Sequence, residues 1–128
     1  MATQNILYIE DDPGSRQAIK DVLEIYYDCK VDLAINGLEG VQKALANDYG
    51  VIITDIGLPD INGVEAAKRI KQSKPQQPIV SSSGHAVLPE DTPADAFDAN
   101  FTKPFAHQMK AFEAFCHRVG VNLVALIH

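Results

Sequence analysis

The sequence predicts an α/β fold in which five parallel strands form one doubly wound sheet with helices on both faces. Short apolar runs alternate along the chain with stretches of helical periodicity. The runs are too short for typical helices, and most lack the alternating polar residues of half-exposed strands. Short, continuously apolar runs are typical of buried parallel strands. A strand–helix–strand order requires crossover connections, and these are right-handed in parallel sheets.

The five strands are predicted from these runs. The predicted ranges are 6–9, 29–35, 50–55, 78–83 and 99–103. The second run differs from the others because its apolar and polar residues alternate. We therefore expect a half-buried strand near the edge of the sheet there.

The first three helices are predicted between these strands. Asp12-Pro13 is typical of an N-cap followed by proline, and it begins a helix over about 14–27. The second helix follows Asn36-Gly37 and ends near Asn47. The third helix ends before Lys74-Pro75, because the residue before a proline disfavours helical backbone.

The last two crossovers differ from each other. Pro89 and Pro93 lie between residues 84 and 98, so we expect the fourth helix to be shortened or irregular. The last helix is expected to begin near Phe105, where apolar residues recur at helical spacing.

Composition limits the classes of function. The 128 residues fit one compact domain, and 11 Lys and Arg against 17 Asp and Glu give a net charge of −6. Direct binding to nucleic acid or to an anionic membrane needs a basic patch, so this balance argues against both. Cys29 and Cys116 form no CxxC pattern, and we expect reduced, buried thiols. The beginning of the sequence lacks the pattern of a secretion signal, and we expect a cytoplasmic protein.

Four of the predicted strands end in polar groups of different chemistry. Glu10-Asp11 follows the first strand, Asp55 ends the third, Ser83 ends the fourth, and Lys103 ends the fifth. The carboxyl ends of parallel strands meet at one edge of a sheet, where ligand sites form. The sequence therefore predicts one site that combines an acid cluster, a hydroxyl and an ammonium group.

This combination indicates metal-assisted phosphoryl chemistry. Three neighbouring carboxylates repel one another unless a cation lies between them, and their oxygen donors suit Mg²⁺ or Mn²⁺. Lys103 supplies a fixed positive charge for a phosphoryl oxygen, and the hydroxyl of Ser83 can donate a hydrogen bond to another. Asp55, between metal and lysine, is then the candidate nucleophile.

The segment that follows Asp55, with sequence Ile56-Gly57-Leu58-Pro59-Asp60-Ile61-Asn62-Gly63, strengthens this interpretation. Together with the acid pair and Lys103-Pro104-Phe105, it resembles the receiver domain of bacterial two-component response regulators. The resemblance extends from Ile6 to about Val119 and implies the flavodoxin-like receiver fold. It also implies a protein that accepts a phosphoryl group from a sensor histidine kinase or a histidine phosphotransfer protein, and that signals to a downstream protein.

The same resemblance implies a role for each site residue. Asp55 would be the phosphoacceptor, Asp11 and Asp55 direct ligands of Mg²⁺, and Glu10 a ligand through water. The backbone carbonyl of Gly57 would be the third protein ligand. Ser83 would be the switch hydroxyl and Lys103 the family's lysine, with a cis bond to the following proline.

One position departs from the family pattern. Three residues before the lysine, where the family usually has an aromatic switch residue, this chain has Asn100. Phe101 is adjacent, but its side chain is expected on the opposite face of the strand. His85 lies two residues after Ser83, at a position that tunes phosphoryl lifetime in the family; an ordinary loop histidine is the alternative.

Three other functions remain as alternatives. A receiver-like scaffold would never be phosphorylated. An aspartate-based phosphohydrolase would need a second acid two residues after its nucleophile, where this chain has Gly57. An FMN-binding protein would need a first loop that cradles phosphate, and Glu10-Asp11-Asp12 would repel one.

We divide the chain into a receiver domain over 1–120 and an apolar tail over 121–128. The tail either packs against the domain, continues the last helix, or contacts another subunit or domain. A homodimer formed through the tail and the last helix is one expectation.

Overall fold

The computed structural model describes residues 4–84, 90 and 92–126, and it contains one five-stranded parallel sheet in the order β2-β1-β3-β4-β5. The predicted fold class is therefore confirmed. The strands are β1 (Gln4–Ile9), β2 (Cys29–Ala34), β3 (Val51–Asp55), β4 (Ile79–Ser83) and β5 (Ala99–Thr102). Each predicted strand is present, with its ends shifted by at most two residues.

Four α-helices are found in the described residues, and three of them begin at a side-chain cap. The helices are α1 (Pro13–Tyr26), α2 (Gly37–Ala46), α3 (Gly63–Ser73) and α4 (Met109–Arg118). Asp12, Asn36 and Asn62 each accept a hydrogen bond from the backbone N–H three residues later. The last helix begins later than predicted, because Phe105–Gln108 forms a 3₁₀ turn before it.

The connection between β4 and β5 has no helix in its described residues, which are 84, 90 and 92–98. This agrees with the shortened or irregular fourth helix predicted in part from Pro93. Pro89 and His85, on which the sequence analysis also made predictions, lie outside the described residues.

The core has two parts, one on each face of the sheet. Alternate residues of β1 point to opposite faces, so Ile6 and Tyr8 pack towards α1 and α4 while Leu7 and Ile9 pack towards α2 and α3. On the α1/α4 side, the rings of Phe101, Phe105 and Phe112 make edge-to-face contacts with centroids 5.2–6.1 Å apart.

Both cysteines lie in the part of the core that α1 and α4 cover, as free thiols. Burial raises the pKa of each thiol to about 12, so both remain protonated near neutral pH. This agrees with the predicted reduced thiols. Across the described residues, every helix is too short or too polar to span a lipid bilayer.

The segment after α4 packs against the domain and does not continue the helix. Gly120 turns the chain with a φ of +83°, a conformation that favours glycine. Val121 and Leu123 are then buried on the α1/α4 side of the sheet. The N–H of Asp28 donates to the carbonyl of Val124 at 2.8 Å, which ties the segment to the end of α1. Residues 127 and 128 lie outside the described residues.

The outer side of the edge strand β2 is covered by side chains of α1 and α2. The N–H of Val31 donates to Oε2 of Glu24 at 2.7 Å, and its carbonyl accepts from Nζ of Lys20 at 2.8 Å. The carbonyl of Leu33 accepts from Nζ of Lys43 at 2.6 Å. These backbone groups of the edge strand are therefore already hydrogen-bonded within the chain.

Candidate functional site

The carboxyl ends of β1 and β3 bring three carboxylates together. Glu10, Asp11 and Asp55 each offer an oxygen within 4.8 Å of the others. β1 and β3 are neighbours in the sheet, and the pairing of Ile9 with Thr54 places the acids that follow side by side. The Glu10 side chain is 1% exposed and that of Asp55 13%, while Asp11 is exposed to solvent.

Lys103 extends over this cluster from the end of β5. Its Nζ lies 2.6 Å from Oε1 of Glu10 and 3.2 Å from Oδ2 of Asp55. Partial burial by itself would lower the pKa of Lys103, but the hydrogen bonds and charges of the two carboxylates outweigh it and raise this pKa above its usual value. Lys103 is therefore a charged ammonium group at neutral pH. The Lys103–Pro104 peptide bond is cis.

Ser83 and Gly57, the other two predicted site residues, lie at the same edge. Ser83 is buried at the end of β4, and its carbonyl accepts from the N–H of Lys103 at 2.7 Å. The residue before it, Ser82, pairs with Asp55 across β3 and β4. Gly57 lies two residues beyond Asp55 in an exposed loop, where an added Cβ would meet nothing within 4 Å.

The loop from β3 to α3 is held at both ends. The N–H of Ile56 donates to Oδ1 of Asp55 at 2.8 Å, and the N–H of Gly63 donates to the carbonyl of Ile56 at 2.8 Å. A Cβ on Gly63 would lie 2.1 Å from the carbonyl oxygen of Asp55, so only glycine allows this close approach.

Asp60, in the middle of this loop, caps α2. Its two carboxylate oxygens accept from the N–H groups of Gly37 and Leu38, each at 2.8 Å. Desolvation raises the pKa of Asp60, but these hydrogen bonds outweigh it and lower the pKa below its usual range. The loop that contains Gly57 is thereby attached to a helix 22 residues away in sequence.

The backbone of the acid pair is fixed by Arg16. Its guanidinium donates to the carbonyl of Glu10 at 3.0 Å and to that of Asp11 at 2.8 Å. Asp12, the next acid, accepts from the N–H of Ser15 as the cap of α1. Arg16 and Asp12 therefore set the direction in which the chain leaves β1, and with it the placement of the acids.

Tyr8 is a site neighbour that the sequence analysis missed. Its hydroxyl lies 3.4 Å from Oε1 of Glu10, while its ring is part of the core. Burial raises the pKa of Tyr8, and the charges of Glu10 and Asp55 raise it further. A signal in the sequence could have identified Tyr8. Its hydroxyl is a polar group on an otherwise apolar strand, and Tyr8 lies two residues before Glu10, on the same face of the strand.

Asn100, at the position where the family usually has its aromatic switch residue, makes a polar contact in this chain. Oδ1 of Asn100 accepts from Oγ of Ser81 at 2.6 Å, across the pairing of β4 with β5. Phe101 is buried on the opposite side of the sheet, as predicted. Asn100 itself is exposed.

The arrangement as a whole suits a divalent cation and a phosphoryl group. Three carboxylates face one ammonium, so negative charge is in excess at the sheet edge. The donors are hard oxygens, which Mg²⁺ and Mn²⁺ prefer. A cation placed among them would relieve the repulsion, and the ammonium remains close to Asp55.

Comparison with known proteins also indicates a receiver domain, as the sequence motifs did. A sequence model described as the response regulator receiver domain matches residues 6–110. The response regulator ArlR of Staphylococcus haemolyticus is 34% identical over 103 residues, which is 79% of this chain and 46% of that protein. A protein-glutamate methylesterase/protein-glutamine glutaminase of Thermotoga maritima is 38% identical over 79 residues, 61% of this chain and 23% of that protein. The chain spans less than half the length of either relative.

A solved structure agrees with the sequence comparisons. The response regulator TrrA of Thermotoga maritima, in complex with Mg²⁺–BeF, superposes with a TM-score of 0.78 at 27% identity, and the match covers 88% of this chain and 98% of that one. The fold, the strand-end groups and the match over residues 6–110 lead to one conclusion: this chain belongs to the family of response regulator receiver domains.

Proposed function

We propose that this chain accepts a phosphoryl group on Asp55 from the phosphohistidine of a sensor histidine kinase or a histidine phosphotransfer protein, in a reaction that requires Mg²⁺ or Mn²⁺. The observation that carries the proposal is the position of the Asp55 carboxylate. It lies between an acid cluster and the ammonium of Lys103, 3.2 Å away. With a cation bound among the acids, the Asp55 carboxylate would lie between two positive charges, which would suit it to attack a phosphoryl group.

The proposed metal ligands are Asp11 and Asp55 directly, Glu10 through water, and the backbone carbonyl of Gly57. When bound, the cation would offset the negative charge of the phosphoryl group during transfer. Gly57 lies in the exposed loop that follows Asp55, two residues beyond it.

The transfer itself needs little from the protein except position and charge. An oxygen of Asp55 attacks the phosphorus while the phosphorus–nitrogen bond of the phosphohistidine breaks. The bonding electrons return to the ring nitrogen, and with the other ring nitrogen of the phosphohistidine protonated, the imidazole leaves as neutral histidine. In the proposed product, the ammonium of Lys103 and the hydroxyl of Ser83 bind two oxygens of the aspartyl phosphate.

The proposed output is a protein–protein contact with a downstream partner. The net charge of −6 does not favour direct contact with nucleic acid. The methylesterase activity named for one relative is a property of that longer protein, and our proposal for this chain is a phosphoacceptor signalling domain. We further propose a cytoplasmic location, a receiver domain over 1–120 with an attached tail over 121–128, and a homodimer formed through the tail and α4.

Intact-mass measurement after incubation with acetyl phosphate tests the phosphorylation proposal. We expect one added phosphoryl group in the presence of Mg²⁺ and none with EDTA. Asp55→Asn should abolish the addition. Asp48→Asn is the matched control, since Asp48 is fully exposed and pairs only with Lys74, at 3.6 Å, among the described contacts.

Two outcomes would replace the proposal. If neither acetyl phosphate nor a phosphohistidine protein labels the chain, the scaffold alternative is correct. Rapid turnover of p-nitrophenyl phosphate that Asp55→Asn abolishes would identify a phosphohydrolase.

A further inference from the structure

Tyr8 connects the apolar core to the proposed metal site. Its side chain is 1% exposed, and its ring packs among the buried residues on the α1/α4 side of the sheet. Its hydroxyl, however, reaches the end of β1 and lies 3.4 Å from Oε1 of Glu10. The same oxygen accepts the hydrogen bond from Nζ of Lys103 at 2.6 Å.

We propose that Tyr8 is a positioning residue of the phosphoacceptor site, which holds the Glu10 carboxylate so that it can serve both Lys103 and the metal-bound water. The proposal rests on the function proposed above. Among the described hydrogen bonds, that of the Tyr8 hydroxyl goes to Glu10 and not to Asp55, so Tyr8 would act through Glu10.

Glu10 has few other groups to orient it. Its side chain is 1% exposed, so bulk water contributes little. Apart from Lys103 and Tyr8, the described structure gives its carboxylate one further donor, the N–H of Asp12, at 3.4 Å from Oε2. Lys103 also contacts Asp55, at 3.2 Å, so its ammonium is shared between two carboxylates. While Lys103 serves the phosphoryl group, the Tyr8 hydroxyl is therefore the described donor that stays with Oε1 of Glu10, and the N–H of Asp12 stays with Oε2.

A cavity adjoins both Tyr8 and Lys103. The cavity has a volume of about 430 Å³, and Tyr8, Lys103 and Gly84 are among the residues that line it. Tyr8→Phe removes the hydroxyl and keeps the ring that packs in the core. The role of the hydroxyl can therefore be tested separately from the role of the ring.

The test compares Tyr8→Phe with Tyr27→Phe. Tyr27 is buried on the same side of the sheet, and its hydroxyl lies 3.5 Å from the carbonyl of Met109, with no described contact to the acid cluster. Outer-shell partners of metal ligands typically contribute about 10- to 100-fold to metal affinity, and a contact as long as this one is expected to contribute about 3- to 10-fold. Titration calorimetry with Mg²⁺ should show this weakening for Tyr8→Phe and no change for Tyr27→Phe.

A double-mutant cycle separates positioning from a general structural effect. If Tyr8 acts through Glu10, then Tyr8→Phe should no longer weaken Mg²⁺ binding in a Glu10→Gln background. Equal weakening in both backgrounds, or unchanged Mg²⁺ affinity in Tyr8→Phe alone, would overturn the proposal.

A second readout uses neither metal nor phosphodonor. Reductive methylation of the metal-free protein, followed by peptide mass measurement, reports how firmly Nζ of Lys103 is held. We expect faster modification of Lys103 in Tyr8→Phe than in the wild type or Tyr27→Phe, and an unchanged rate would contradict the link. If the wild type does not bind Mg²⁺, the proposed function fails, yet this measurement still decides whether Tyr8 controls Glu10 and Lys103.

Discussion

The Nζ of Lys103 lies 2.6 Å from Oε1 of Glu10, although 93 residues separate the two in sequence. The Glu10 side chain is nearly inaccessible to water, while the Lys103 side chain is 30% exposed. The ammonium also contacts Asp55 at 3.2 Å, so a single positive charge serves two carboxylates. Among the described ion pairs, Lys103 is the cation that offsets the charge of the acid cluster in the absence of a metal.

Replacement of Lys103 by Met should therefore destabilise the metal-free protein. Loss of one partner of a buried ion pair costs about 3–5 kcal/mol, and we expect about 1–3 kcal/mol here because the lysine is partly exposed. Urea unfolding in EDTA measures the loss. Added Mg²⁺ should stabilise the variant more than the wild type, because the cation takes over the neutralising role.

Lys68→Met, at an exposed position on α3, is the control for this experiment. Equal stability of Lys103→Met and the control in EDTA would contradict the argument.

An added methyl group should destabilise the protein strongly at Gly63 and only slightly at Gly57. In Gly63→Ala the Cβ would lie 2.1 Å from the carbonyl oxygen of Asp55, which forces the backbone of the proposed phosphoacceptor to move. We expect a loss of about 2 kcal/mol or more in unfolding free energy. Gly57→Ala meets no atom within 4 Å and should change stability by less than about 1 kcal/mol. Chemical denaturation of both variants measures the difference, and a similar loss in both would refute the steric explanation.

Asp60 should make the stability depend on pH in acid. Its pKa is lowered below the usual 3.8, so the ionised cap of α2 is fully stabilising above that value. The contribution is lost as the pH falls through the lower pKa of the folded state. Asp60→Asn should cost about 0.5–1 kcal/mol at pH 7, and the difference from the wild type should shrink towards pH 3. Melting temperatures at pH 7, 4 and 3 measure this trend.

Asp21→Asn is the comparison for this pH series, because Asp21 is exposed on α1 and accepts one bond, from Gln17, among the described contacts. A stability difference for Asp60→Asn that stays constant from pH 7 to pH 3 would exclude the carboxylate as its source.

The contact between Ser81 and Asn100 should behave as a coupled pair. Ser81 is fully buried, so Asn100→Ala leaves its hydroxyl without the acceptor at 2.6 Å. We expect a cost of about 1–2 kcal/mol for this variant. The double variant with Ser81→Ala should cost less than the sum of the single variants, because no buried hydroxyl then remains. Additive losses in thermal unfolding would argue that the hydrogen bond contributes nothing.

The segment after α4 should stabilise the domain to which it is attached. A chain that ends at Gly120 loses the buried side chains of Val121 and Leu123. At about 1.5–3 kcal/mol for each fully buried apolar side chain, reduced for residual burial in the unfolded state, we expect a loss of about 2–4 kcal/mol. Urea unfolding of the shortened chain checks this value, and unchanged stability would mean that the segment is not part of the folded unit.

The proposed homodimer is better tested with a point substitution. Leu126 is 55% exposed, so Leu126→Ser should leave the fold intact. If the tail contributes to a dimer, light scattering should give a smaller solution mass for this variant than for the wild type. Equal masses would remove the tail from the proposed interface.

The sequence predicted those features that follow from local pattern. The strands around Ile6 and Ile52 were predictable because a buried parallel strand has a short, continuous apolar run with a polar end. The effect of Pro93 was predictable because proline acts on its own backbone.

What the sequence did not predict depends on contacts between distant residues. The contact of Asp60 with α2 spans 22 residues, and a carboxylate in a loop has many possible partners. Tyr8 looked like an ordinary core residue, because an aromatic side chain within an apolar run gives no sign of where its hydroxyl points. Only the three-dimensional structure, in which β1 lies beside β3 and Lys103 reaches the acids from the end of β5, reveals these contacts.

The hydrogen bonds along the outer side of β2 also limit how molecules of this protein can associate. A strand from another molecule would have to displace Lys20 and Glu24 from Val31 before it could pair there. Growth of the sheet from chain to chain, the first step towards an amyloid-like fibre, is thereby blocked at this margin. One margin of the sheet is therefore closed to polymerisation while these hydrogen bonds persist.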